Sequence, residues 1–264
     1  MGILSLILGL SLVGLTVPVQ GQMASRSGQG GGLPQAAKAE ELFALANESR
    51  VQAGFGKLEW DPELAAAALK HCLRMAAEGP ISHQYGGEAD LTTRAGEAGA
   101  RFSLIEENIA VGPFPATIHQ GWLNSPPHRA NLLSRDVDHV GIAVVLAQGV
   151  LFAVEDFSRA TPQLRQAEIE GKIAGLLRTA SVTVRRDATD ARAACALDRG
   201  LPKLVSPDQP QFVVRWQDSD LSHLPANLSA SLSSGRYKQA EVGSCAPRNV
   251  EGAFTIYRVA VLLY

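Results

Sequence analysis

Two apolar runs, Val140 to Leu146 and Val150 to Phe157, meet at Gln148-Gly149. A glycine between two such runs is the signature of a β-hairpin. The sequence before this hairpin has a different period. From Ala36 to Ala53, Leu42, Leu45 and Ala46 recur at helical spacing, and Gly54 stops the pattern. Asp61-Pro62-Glu63 then starts a second helix: Asp61 caps, Pro62 suits the first helical position, and Glu63 complements the helix dipole. Leu64, Ala68, Cys72 and Met75 form one stripe of that helix, with His71 beside it, and Gly79 ends it. Shorter helices are expected over Leu91 to Ala98 and Pro115 to Asn124. Pro126-Pro127 breaks the latter and opens a further turn through Leu133. Helices therefore come first, and the sheet closes this part of the chain.

Beyond the hairpin, Arg159 to Leu164 reads as a joint and Ala167 to Arg178 as a connecting helix. Ser181 to Arg185, Phe212 to Trp216 and Phe254 to Leu263 read as strands between polar, Ser- and Pro-rich loops. Residues 165–264 are thus expected to form a smaller β-rich module. A chain of 264 residues, 46% apolar and 19% charged, is enough for one large domain or for one medium domain plus a small one with a real core. Its formal net charge of -2 supplies no basic field for nucleic acid.

The N-terminus carries an address. Ile3 to Val19 is apolar and uncharged, and Val19-Gln20-Gly21 puts small residues at the -3 and -1 positions of a cleavage site. Residues 1–21 are read as a signal peptide, an uncut anchor being the alternative, and residues 22–35, rich in Gly, Ser and Gln, as a flexible linker. The mature chain is then expected in a periplasm or outside the cell, with no membrane span after signal removal. Export permits disulfides. Cys195 and Cys245 are the expected pair and Cys72 a buried thiol; a bridge from Cys72 to either is the alternative.

Four segments carry chemistry: Ile81-Ser82-His83; Glu106-Glu107-Asn108-Ile109-Ala110; the string Trp122-Leu123-Asn124-Ser125-Pro126-Pro127-His128-Arg129-Ala130-Asn131-Leu132-Leu133; and the hairpin from Val140-Gly141-Ile142-Ala143 to Glu155-Asp156-Phe157. Singly each is weak, since a lone loop histidine is more often a surface residue than a ligand. In this order and spacing they resemble the bacterial CAP (SCP) domains of the cysteine-rich secretory protein, antigen 5 and pathogenesis-related superfamily. The resemblance spans residues 36–160 and leaves 165–264 unassigned.

The resemblance implies an α+β chain whose first domain is a three-layer α/β/α sandwich with a cleft lined by histidines and acids. Carried over by position, His83, Glu107 and His128 match the family's cleft residues. Animal and plant members place a second glutamate three residues after the tryptophan, where this sequence has Ser125. Glu155 has no motif that brings it to the cleft, His71 and His119 read as core-edge residues, and Arg129 and Asn131 as braces.

Two facing imidazoles, His83 and His128, can hold a divalent metal such as zinc, with Glu107 as third ligand, as hydrogen-bonding partner behind a ligating histidine, or as general base on a bound water. With Ser125 in the acid position, the balance moves from catalysis to binding. The first reading is therefore a non-catalytic exported module that binds a lipid, an apolar small molecule or an envelope component through the cleft. The alternatives are a metal-assisted hydrolase or peptidase using His83, His128 and Glu107, and a structural or adhesive protein acting through residues 165–264.

Overall fold

A computed structural model describes residues 32–250 and 252–264. The signal-peptide segment and most of the linker lie outside the described residues. In chain order the elements are β1 (Leu33–Pro34), α1 (Ala36–Gln52), β2 (Glu59–Trp60), α2 (Pro62–Glu78), α3 (Leu91–Ala98), β3 (Phe102–Gly112), α4 (Pro115–Asn124), α5 (Pro126–Leu132), β4 (His139–Ala147) and β5 (Val150–Ala160). A second set follows: α6 (Gln166–Thr179), β6 (Thr183–Val184), α7 (Thr189–Cys195), β7 (Phe212–Asp218), α8 (Ala226–Ser233), β8 (Gln239–Cys245) and β9 (Tyr257–Leu263).

Local chemistry sets the ends of these elements. The Asp61 carboxylate accepts the Glu63 and Leu64 amides, both at 2.9 Å, so α2 starts at Pro62. Gln148 (φ 52°) and Gly149 (φ 79°) both occupy left-handed backbone, which gives the two-residue turn between β4 and β5 the hand of the sheet twist.

The first sheet runs β1-β4-β5-β3, with β2 pairing in parallel with β4 beyond β1's short ladder. Side chains alternate across it. On one face, Cys72 and Met75 of α2 pack against Ala143, Phe152 and Val154. On the other, Leu42, Trp122 and Leu132 of α1, α4 and α5 pack against Ile142, Val144 and Phe157. Helices thus cover both faces, the three-layer α/β/α arrangement. The strand β3 escaped the sequence reading. Glu106, Glu107 and Asn108 interrupt its apolar alternation; Glu107 and Asn108 are buried because side chains and backbone of neighbouring elements, not water, satisfy them.

The second module has its own four-stranded sheet, ordered β6-β8-β9-β7. α6 and α8 cover one face through Ile173, Leu177 and Leu228, and α7 covers the other through Ala191 and Ala194. The loops read between its strands contain α7, α8 and β8. Cys195 and Cys245 are bonded, tying α7 to β8 across a sequence separation of 50, and Cys72 is free and buried. Closing a loop of that length stabilises by about 4 kcal/mol in the chain-entropy account. The two modules meet at the start of β3. The Phe254 ring lies edge-on to Phe102 with centroids 5.5 Å apart, and the Thr255 amide donates to the Phe102 carbonyl at 2.8 Å. The Tyr257 hydroxyl donates to the Pro162 carbonyl. No helix of the described residues is long and apolar enough to cross a membrane.

One residue sets the spacing of α2 on the first sheet. A Cβ at Gly141 would stand 2.1 Å from the Ala65 nitrogen and 2.2 Å from the Leu64 carbonyl carbon, both backbone atoms that cannot swing aside. Gly141→Ala is expected to lower the unfolding free energy by about 3 kcal/mol, the upper range for overpacked cores. Denaturant titration checks this; an unchanged midpoint would mean α2 is not seated as described.

Candidate functional site

β3 lies at the edge of its sheet, and its side chains divide the site in two. Glu107 points to the α2/α3 face and Asn108 to the α4/α5 face. Glu107 is buried, with its side chain 3% exposed. His83 Nδ1 stands 2.7 Å from Glu107 Oε1, and Arg94, from α3, pairs through Nη2 with Oε2. Arg94 also donates from Nη1 to the His83 carbonyl at 3.1 Å, so one guanidinium holds both the acid and the loop that brings the histidine. The far side of that loop is held by α2. The fully buried His71 meets Glu88 through Nδ1 at 2.8 Å and the Ser82 carbonyl through Nε2 at 3.0 Å. Asp156, also fully buried, stands directly across the ladder from Glu107.

On the other face, α5 is tied to β3 by amides. Asn108 Nδ2 donates to the His128 carbonyl at 3.1 Å, and Asn131 Nδ2 donates to the Glu107 carbonyl at 3.2 Å and to Asn108 Oδ1 at 3.1 Å. His128 is half-buried. Ser125 sits at the joint of α4 and α5, where its carbonyl accepts the Arg129 amide at 2.8 Å. Among the described residues its hydroxyl bonds to none of the cleft groups. Glu155, across the ladder from Asn108, is fully buried.

The electrostatics follow from these contacts. The hydrogen bond with Glu107 raises the His83 pKa above its ordinary value, against the opposing effect of burial. Burial pushes the Glu107 carboxyl up, but the His83 hydrogen bond and the Arg94 charge outweigh it and leave the pKa lowered. Burial, and then the neighbouring Glu107 charge, raises Asp156 well above the carboxylate range. Burial lowers His128, and the charge of His83 lowers it further. Burial lifts Glu155 to about 8 against a smaller lowering effect of the neighbouring Asn108 amide, which does not reach either oxygen in hydrogen-bond geometry.

Of the expected residues, His83 and Glu107 are in contact, and His128 is near enough to His83 to feel its charge. Ser125 stays at the rim. Arg94, His71, Glu88 and Asp156 belong to the network and were not singled out as cleft groups. His71, read as a core-edge residue, is inside it. The signals were an arginine on the apolar side of a short helix and two adjacent acids inside an apolar strand.

The residues do not fit a three-ligand zinc centre. Each Glu107 oxygen already accepts a contact, one from His83 Nδ1 and one from Arg94, so Glu107 stands behind His83 as its orienting partner and not beside it as a third ligand. Among the described residues no group of three or more His, Cys, Asp or Glu side chains has the geometry to hold a metal ion.

Comparison with known proteins bears on the first module. Residues 43–157 match the model of the cysteine-rich secretory protein family, CAP. The Bacillus subtilis uncharacterized membrane protein YlbC is 36% identical over 112 residues, 42% of this chain and 32% of that protein. The Bacillus subtilis uncharacterized protein YkwD is 28% identical over 110 residues, 40% of this chain and 42% of that protein. This chain thus spans less than half the length of either. Among solved structures, an extracellular SCP-domain protein from Bacillus anthracis aligns with TM-score 0.44 and 29% identity over 47% of this chain and 41% of that one. An outer surface protein from Borrelia burgdorferi aligns with TM-score 0.46 and 23% identity over 50% of this chain and 98% of that one.

Glu155 supplies a test of the buried electrostatics. Its folded pKa is raised, so folding must protonate it at neutral pH, and that cost vanishes as pH falls below the unfolded value of 4.5. Glu155→Gln is expected to stabilise the protein at pH 7 by up to roughly 3 kcal/mol, the gain shrinking to nothing near the unfolded carboxyl pKa. Denaturation midpoints across that pH range check it; a destabilised variant at pH 7 would show that Glu155 is ionised and paired.

Proposed function

We propose, taking as premise that residues 43–157 form a CAP domain of the cysteine-rich secretory protein family, that this chain is an exported, non-catalytic binding protein. The observation that carries the reading is the double commitment of Glu107 to Arg94 and His83. A general base needs a free lone pair within reach of a water, and a metal ligand needs one aimed at the ion. Glu107 keeps lone pairs beyond these two contacts, but its side chain is only 3% exposed, so little of it is open to water. What the cleft offers outward is His83, whose side chain is 59% exposed, and the half-buried His128 beside it. These are hydrogen-bonding groups for the polar end of an envelope component or lipid.

A specific observation favours an apolar ligand elsewhere on the same domain. A cavity of about 320 Å³ opens between the starts of α1 and α2, lined by Ala39, Trp60, Ala65, Leu69 and Ile142 among others. That size lies at the small end of ligand pockets. It sits where β1 and β2 flank β4, on the side of the sheet opposite the β3 edge that carries the cleft.

Titration of the full chain with laurate separates these readings. Loss of binding in His83→Ala and His128→Ala, with Ala65→Leu unaffected, assigns the ligand to the cleft. The reverse pattern assigns it to the apolar cavity. No saturable binding to the wild-type chain would contradict the lipid class. A parallel zinc titration is expected to show no stoichiometric uptake dependent on both histidines; such uptake, together with hydrolytic turnover lost in His83→Ala and His128→Ala, would overturn the non-catalytic reading.

A further inference from the structure

The second module holds a cluster of arginines beside the disulfide. In the β8-β9-β7 ladder, Cys245, Arg258 and Gln217 stand abreast, and Arg215 lies two residues along β7 on the same face. Arg248 closes the group from the loop after β8. Between them is a cavity of about 340 Å³ that also touches Asp198 and Asn249.

The charges in this cavity are unbalanced. Asp198 is its one carboxylate among the described residues, against three guanidinium groups. It is shared: Arg258 Nη2 donates to Oδ1 at 2.9 Å and Arg248 Nη1 to Oδ2 at 3.1 Å. Asp198 is 69% exposed, while the Arg258 side chain is only 7% exposed. The remaining bonds go to backbone carbonyls. Arg215 donates to Ala194 and Gly200, Arg248 to Ala196, and Arg258 to Leu197 at 2.9 Å. These contacts brace the end of α7 but add no full negative charge. Arg215 also feels its neighbour: burial, and then the charge of Arg258, lowers its pKa. Each guanidinium has five N–H donors, so N–H groups on all three remain unused by these bonds.

We infer that this cavity is a binding site for a phosphate group. Guanidinium forks arriving from a strand, its neighbour and a loop present donors in several directions, which suits a tetrahedral oxyanion better than a planar carboxylate. Asp198 then acts as the resident anion that a ligand phosphate partly displaces. This inference rests on the second module alone and stands apart from the reading of the cleft.

The test is calorimetric titration of the full chain with inorganic phosphate against chloride at matched ionic strength. Saturable phosphate binding is expected. Arg248→Ala, which removes a half-exposed side chain, should weaken it about tenfold, the effect of one charge-assisted contact. Asp198→Asn should strengthen it several-fold by removing the competing carboxylate, an outcome that arginines serving only as braces do not give. Flotation with phosphatidylglycerol vesicles separates the sources: co-migration that Arg248→Ala abolishes assigns the phosphate to a lipid headgroup, and binding of free phosphate alone assigns it to a soluble ligand. Absence of phosphate binding by the wild-type chain, or binding that neither substitution alters, would overturn the inference.

Discussion

The buried ion pair between Arg94 and Glu107 is the contact on which the candidate site depends. Both side chains are almost fully buried. Removing one partner of such a pair typically destabilises by about 3–5 kcal/mol, because the other charge is left unpaired in a poorly solvated place. Here the pair also organises its surroundings. It fixes the ionisation of Glu107, and Glu107 in turn raises the pKa of His83 and helps push Asp156 toward its protonated form. The same guanidinium reaches the His83 carbonyl, so the loop carrying the histidine is held by the group that holds its acid.

The strand β3 connects this chemistry to the rest of the molecule. Glu107 and Asn108 near its middle serve the two faces of the cleft, and Phe102 at its start is where the second module docks through Phe254 and Thr255. The two modules share one building rule. In each, a glycine on a central strand, Gly141 or Gly243, lets a helix backbone approach: a Cβ at Gly243 would lie 2.2 Å from the Arg192 nitrogen. Each sheet is covered by helices on both faces.

Much of this was legible in the sequence, for local reasons. The cap at Asp61, the proline at position 62, the proline pair at 126 and 127 and the Gln148-Gly149 turn act within a few residues, so they mark α2, the α4/α5 joint and the β4–β5 hairpin directly. Two of the cleft groups, His83 and Glu107, came from a resemblance in motif order. What stayed hidden depends on distant partners. β3 has no clean alternation: its buried Glu107 and Asn108 find their partners on α3, α5 and a loop, which no local pattern shows. Arg94 lies on the apolar side of a short helix, but its partner Glu107 is 13 residues away in sequence, so the pair itself is not a local signal. In the second module, α7 and α8 are short and lie in Ser-, Ala- and Pro-containing stretches whose local signals resemble loops.

The central claim is that the Glu107 carboxylate, buried and held by Arg94 and His83, orients the histidine and does not itself serve as a metal ligand or activate a water. The most direct measurement is the titration of the His83 ring by NMR, with and without added zinc. The account predicts a pKa above the ordinary 6.5, a fall toward or below that value in Glu107→Gln, and an unchanged curve in the presence of zinc. A wild-type His83 that titrates at or below 6.5, or one whose titration stoichiometric zinc suppresses, would contradict it.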